Sequence, residues 1–192
     1  MFNTEQRPLM GGEQVGGCDT VVLLKGHPLE RRTMAIGAVT QTLIGLLEAG
    51  VGDAAWPVKA MSSTEAAVVV GPHVGLLLWR VEPDAALRSL MPQAGAQRPS
   101  QDPAVVLHYL VFVGGGETTA AQDVLGRCVR ALITTPVLSG AALAPDQVWP
   151  AGTVLQVGAE VIDNPTLLAL WQAMRLPLQS GANYEIKGLR LA

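Results

Sequence analysis

Between Arg32 and Ala49 the apolar residues Ile36, Val39, Leu43, Leu46 and Leu47 fall at offsets 0, 3, 7, 10 and 11. That is helical spacing, with Gln41, Thr42 and Glu48 away from the stripe and Gly50 and Gly52 closing it. Two shorter apolar runs follow, Ala67–Val70 and Gly75–Val81, and both predict strands. The second ends at Glu82-Pro83, where the proline ring removes a ladder donor. Val105–Val113 is apolar without alternation, which predicts a central strand covered on both faces. Glu117–Ile133 predicts a second helix, with Ala121, Val124, Leu125, Cys128 and Leu132 on one side and Pro136 beyond its end. Thr153–Ile162 alternates, Leu155, Val157, Ala159 and Val161 against Gln156 and Glu160, as a half-buried strand does.

The last thirty residues or so read as a short apolar helix from Asn164, a polar turn, and an extended segment to the end of the sequence. Tyr184 and Ile186 share one face, opposite Glu185 and Lys187, but Leu189 and Leu191 have the other parity. A bulge at Gly188 would insert one unpaired residue and return both leucines to the inner face. A terminal strand with no polar tail is offered to something, either its own sheet or a neighbouring subunit. Helices and strands do not strictly alternate, so the expected class is α+β, with a mixed, mostly antiparallel sheet of about five strands packed with three helices.

Residues 1–31 differ from the rest, with Gly11, Gly12, Gly16 and Gly17 around one short apolar run, Val21–Leu24. We expect residues 1–33 to be an N-terminal extension or arm, and residues 34–192 to be one α+β domain. The rival reading takes Met34-Ala-Ile-Gly-Ala-Val-Thr40 as the natural start and the preceding residues as misassigned. Residues 91–103, with three prolines, predict an exposed loop.

A domain of this length, 192 residues, buries about 70% of its unfolded surface, so no disulfide or metal staple is required. Charged residues make up 15%, below the average of about 25% for soluble domains, which fits a surface partly hidden in an assembly. The net charge is −3 and no cluster of Lys or Arg appears, which argues against nucleic acid as a partner. No apolar stretch reaches the length of about 20 residues that spans a bilayer, and no secretory leader is evident at the N-terminus. Cys18 and Cys128 lie far apart, which suits a reducing cytoplasm.

The candidate chemistry is sparse. Gly114-Gly-Gly-Glu-Thr-Thr119 sits between a strand and a helix, where phosphate loops occur, but it lacks the Walker lysine and the third glycine of a dinucleotide fingerprint. We read it as a turn, with Thr118 or Thr119 near the helix cap. His27, His73 and His108 show no ligand spacing, so no metal is expected, and His108 reads as a core histidine bonded to backbone or water. Cys128 reads as a buried small hydrophobe, and Ser139 and Ser180 lack the esterase elbow. Asp84, Asp102, Asp123 and Glu160 are scattered over expected surface, so no catalytic residue and no cofactor site is assigned. Trp79, Tyr109, Trp171 and Tyr184 could form a ligand platform, although packing in a core or between subunits explains them more simply.

An ordered set of segments carries a resemblance. It comprises Met34–Leu47, Leu76–Arg88, Leu107–Leu110, Leu125–Leu132 with Pro136–Leu138, Leu170-Trp171 and Ser180–Glu185. In this order they resemble the tail-terminator, or cap, proteins of phage-tail-like contractile injection systems, from about residue 34 onward. The resemblance implies a non-enzymatic cap: a homo-hexameric ring that ends the inner tube and couples it to the sheath, assembled in the cytoplasm. A neck or baseplate adaptor of the same machine, or a small-molecule-binding or enzymatic domain, are the alternatives. For such a ring the candidate subunit or partner interface is Trp79, Arg80, Trp171, Tyr184, Ile186, Leu189 and Leu191, with the terminal strand as a donor for sheet-edge pairing.

Overall fold

The computed structural model describes residues 28–88, 103–145 and 148–191. The expectations for Cys18, His27, Val21–Leu24, Asp102 and most of the 91–103 loop lie outside those residues. The chain forms α1 (Pro28–Val51), β1 (Val58–Ala60), α2 (Ser63–Ala66), β2 (His73–Pro83), α3 (Ala85–Arg88), β3 (Ala104–Gly114), α4 (Thr118–Thr134), β4 (Val137–Ser139), a 3₁₀ turn (Gly140–Ala142), β5 (Val154–Ala159), α5 (Asn164–Ala173) and β6 (Gly181–Arg190). One six-stranded sheet runs in the order β1-β2-β3-β6-β5-β4. β1 is parallel to β2 and every other pairing is antiparallel. The α+β class and the mixed, mostly antiparallel sheet match the expectation from the sequence.

β3 sits at the centre because both of its faces are apolar. Leu107, Tyr109, Val111 and Val113 pack with Val39, Leu43 and Leu47 of α1 and Val124, Cys128 and Leu132 of α4. Leu110 and Phe112 face the other way, toward Trp171 of α5 and Met174. The Phe112 and Trp171 rings meet edge to face at 5.5 Å, a favoured aromatic geometry. Tyr109 is wholly buried, and its hydroxyl lies 2.8 Å from Thr40 Oγ1. Burial pushes the Tyr109 phenol up to about 12, with the Thr40 hydrogen bond pulling the other way. Cys128 is buried on the α4 stripe as expected, and burial raises its thiol to about 11.

The bulge in β6 is where the sequence placed it. Val105 pairs with Leu189 and Leu107 with Ile186, so two steps on β3 match three on β6. Gly188 has φ +90°, and a Cβ there would stand 2.5 Å from the Val154 carbonyl oxygen of β5. Ile186 and Leu189 both end up buried on the inner face.

Three local expectations fail. Ala67–Val70 is not a strand, and Val68 and Val70 are 74% and 96% exposed. Ser62 and Glu65 form a capping box there, with the Ser62 N–H donating to Glu65 Oε2 at 2.8 Å, and this nucleates α2. β5 stops at Ala159, leaving Val161 98% exposed. Thr42 is buried although it lies off the apolar stripe, because its hydroxyl accepts from Ala144 N–H at 2.9 Å and so pins the segment after β4 to α1. The cap of α4 is Glu117 itself, which accepts from Thr119 N–H and from the Thr119 hydroxyl. These hydrogen bonds hold the Glu117 carboxyl below its usual range. The short strands β1 and β4 were not anticipated, since three residues carry too little periodicity to read.

Candidate assembly surfaces

The sheet fixes where each proposed interface residue lies. β6 is an interior strand, paired to β3 on one side and to β5 on the other. Trp171, Tyr184, Ile186 and Leu189 are accordingly buried within this chain's own core. The terminal strand therefore meets its own sheet, the first of the two partners considered for it. Trp79 and Leu191 are half-buried and Arg80 is exposed. Burial raises the Tyr184 phenol above its ordinary value.

Trp79 occupies a second bulge, in β2, where Leu78 pairs with Tyr109 and Arg80 with His108. Alternation with Leu77 sets Trp79 on the α5 side, where it packs with the Trp171 and Met174 cluster, and the extra residue brings Arg80 opposite His108 on that same side. Its ring lies 5.7 Å from His108 and 4.8 Å beneath the Arg80 guanidinium, a cation–π distance.

His108 is the centre of a polar cluster that the sequence did not reveal. It is 2% exposed, and Nδ1 lies 2.9 Å from Glu160 Oε2. Nε2 lies 3.2 Å from Glu82 Oε1, within ion-pair range but without hydrogen-bond geometry. Arg80 Nη2 donates to Glu160 Oε1 at 3.0 Å, so Glu160 holds β2 and β3 from beyond β6. On β6, Glu185 accepts from Lys187 Nζ, and this bond raises the Lys187 ammonium above its ordinary value. The expected backbone or water partner of His108 is thus a carboxylate, and Glu160 is not a free surface acid. Only the fold could reveal this, because the two residues lie 52 positions apart.

The glycine run after β3 has a packing role. Gly115 and Gly116 have φ of +72° and +73°, and a Cβ on Gly115 would collide with the Gly71 carbonyl. A Cβ on Gly116 would stand 2.7 Å from the Trp56 ring. The turn is therefore filled by its own chain, with the Glu117 carboxylate at the helix start where an anion would have to sit. Among the described residues no group of three or more His, Cys, Asp or Glu side chains could hold a metal ion. No described helix is long and apolar enough to cross a membrane.

A trough of about 580 Å³ opens along β2, lined by Thr40 of α1, Met61, Glu65, Leu76–Trp79 and, on α5 and just after it, Leu170, Ala173 and Met174. Glu65 is its one ionisable lining residue, already engaged in the α2 cap.

This arrangement, two helices on one face of the sheet and one on the other, spans nearly the whole matched region of a known family. Residues 38–191 match the sequence profile described as the Pvc16 N-terminal domain. The chain belongs to the Pvc16 N-terminal domain family. Two solved structures share the fold of this Pvc16-type domain. One is a sheath/tube terminator of PVC, an extracellular contractile injection system, in its extended state (16% identity, 82% of this chain and 57% of that one, TM-score 0.59). The other is the tube-terminating cap of the anti-feeding prophage (18% identity, 80% of this chain and 54% of that one, TM-score 0.56). The chain thus spans a little over half the length of these structural relatives. No curated protein sequence matches it.

Proposed function

We propose that this chain is the N-terminal part of a tube-terminating cap of a contractile injection system, with a structural and not a catalytic role. The observation that carries this is the family match over residues 38–191, joined to a fold shared with two terminators of such particles. In this reading six copies close into a ring on the end of the inner tube, stop its growth and couple the last sheath layer to it. Residues 34–192 form the ring-building domain, and the first 33 residues are an arm that docks on a neighbour. Self-contacts between unlike surfaces of one chain close a ring only when the rotation between copies allows it. Trp79, Arg80 and Leu191 are the members of the candidate interface that remain accessible for such contacts. The cap is assembled in the cytoplasm with tube and sheath subunits as its partners.

A deletion strain tests the reading. Electron microscopy of its particles should show overlong or uncapped tubes, restored to normal length by the gene in trans. Particles of normal length and normal ends in the deletion strain would refute it.

A further inference from the structure

We propose that His108 Nε2 and Glu82 bind one divalent metal ion of the zinc class on the α5 face of the sheet. The inference is independent of the cap reading and rests on the polar cluster around His108.

His108 is held as metal-binding histidines are held. Its ring is 2% exposed, and Nδ1 lies 2.9 Å from Glu160 Oε2. A carboxylate on one ring nitrogen keeps the proton there, orients the ring and makes the other nitrogen a better donor to a metal. Arg80 Nη2 also stands 3.2 Å from Nδ1, but it donates to Glu160 Oε1 at the shorter 3.0 Å. Nε2 is left with its lone pair and with no hydrogen bond to any described residue. A buried polar atom without a partner is costly, so its place calls for an occupant.

Glu82 supplies the second ligand. Its Oε1 lies 3.2 Å from Nε2, and the pair lacks hydrogen-bond geometry. Zinc takes imidazole nitrogen and carboxylate oxygen at about 2.1 Å each. An ion at about 2.1 Å from both atoms makes an N–Zn–O angle of about 100°, near the tetrahedral value of about 109°. In that triangle Oε1 stands about 40° off the line from Nε2 to the ion, a poor direction for an N–H···O bond and the right one for a shared metal. Arg80 Nε stands 3.6 Å from the other oxygen, Glu82 Oε2, which leaves Oε1 to the ion. The Glu82 side chain is 45% exposed, so it can swing aside for entry, and water fills the remaining positions.

The surrounding charge favours a dication. β2 brings Arg80 and Glu82, β6 brings Glu185 and Lys187, and Asp84 and Glu160 lie within electrostatic reach of Lys187. Four carboxylates against two cations leave a net charge of −2, which one divalent ion cancels. An imidazole beside a carboxylate selects zinc-class ions over magnesium and calcium, which take oxygen ligands. Two side chains are fewer than the three or four of a tight zinc site, so the ion is exchangeable.

Calorimetric titration of the chelator-washed full chain with zinc chloride tests this. One ion should bind per chain with a Kd on the order of 10 µM, and magnesium at about a hundredfold excess should not compete. Glu82→Gln should weaken binding about tenfold or more, and Glu160→Gln, which disturbs only the orienting carboxylate, by about 10–100-fold. Cys18→Ser combined with His27→Gln removes zinc donors of the N-terminal segment and should leave the affinity unchanged. Nitrogen-15 NMR of the histidine rings reads the site itself: the His108 Nε2 resonance should move on zinc addition, and those of His27 and His73 should stay. His108→Gln should abolish the binding. If that variant fails to fold, Glu82→Gln and the NMR shift decide together. A parent chain that binds no zinc, an affinity unchanged in Glu82→Gln, or a shift confined to another histidine each overturns the proposal. Magnesium bound as tightly as zinc overturns it as well.

Discussion

Replacing Gly188 by alanine should destabilise the protein far more than the added methyl suggests. Gly188 has φ +90°, a region where a non-glycine residue costs about 1–3 kcal/mol. The new Cβ would also stand 2.5 Å from the Val154 carbonyl oxygen, a backbone atom of the neighbouring strand that cannot move without disturbing β5. The two effects together predict a loss of about 2–4 kcal/mol, since strain and clash relax partly together. For a chain of this size that is a fall in melting temperature of roughly 5–15 °C. Urea unfolding followed by tryptophan fluorescence measures it, with the m-value checked for constancy. Gly126→Ala in α4 is the control, because a Cβ there meets nothing within 4 Å and a helical alanine should stabilise by about 0.5–1 kcal/mol. A Gly188→Ala protein within about 0.5 kcal/mol of the parent would refute the bulge as the device that keeps Ile186 and Leu189 on one face.

Further predictions concern the polar cluster, the buried thiol and the α2 cap. Glu160→Ala should cost about 1–3 kcal/mol in urea unfolding, because it removes the carboxylate shared by the buried His108 Nδ1 and Arg80 and leaves Nδ1 only the Arg80 guanidinium at 3.2 Å, whereas Glu82→Ala, with its side chain 45% exposed, should cost under about 1 kcal/mol. The Cys128 thiol, raised from 9.0 to about 11 in the folded chain, ionises first in the unfolded state. Stability is therefore unaffected by this group below pH 9.0 and falls as pH rises toward 11, by about 2–3 kcal/mol in all. Cys128→Ala should flatten that alkaline slope, and in a Cys18→Ser background the native thiol should resist aromatic disulfide reagents until unfolding. Ser62→Ala should lower stability by about 1 kcal/mol through loss of the capping box, read by thermal melting.

The difference between what was legible in the sequence and what was not is physical. Long periodic segments announce themselves: the α1 and α4 stripes, the unbroken apolar run of β3, and the phase break that places the Gly188 bulge all follow from side chains alternating between water and core. The run Ala67–Val70 suggested a strand, but the capping box that the structure shows between Ser62 and Glu65 prevailed over that local pattern. The sequence by itself thus determined the α+β class, the two-sided central strand, the buried Cys128 and the resemblance to terminators. Only the tertiary structure decided that β6 is interior, so that Tyr184, Ile186 and Leu189 serve the core of this chain. It alone brought Glu160 to His108 across an intervening strand and left the outer edge of β2 beyond Leu76 without a neighbour among the described strands. Strand order and edge exposure depend on pairings between distant residues, and no periodicity along a single chain encodes them.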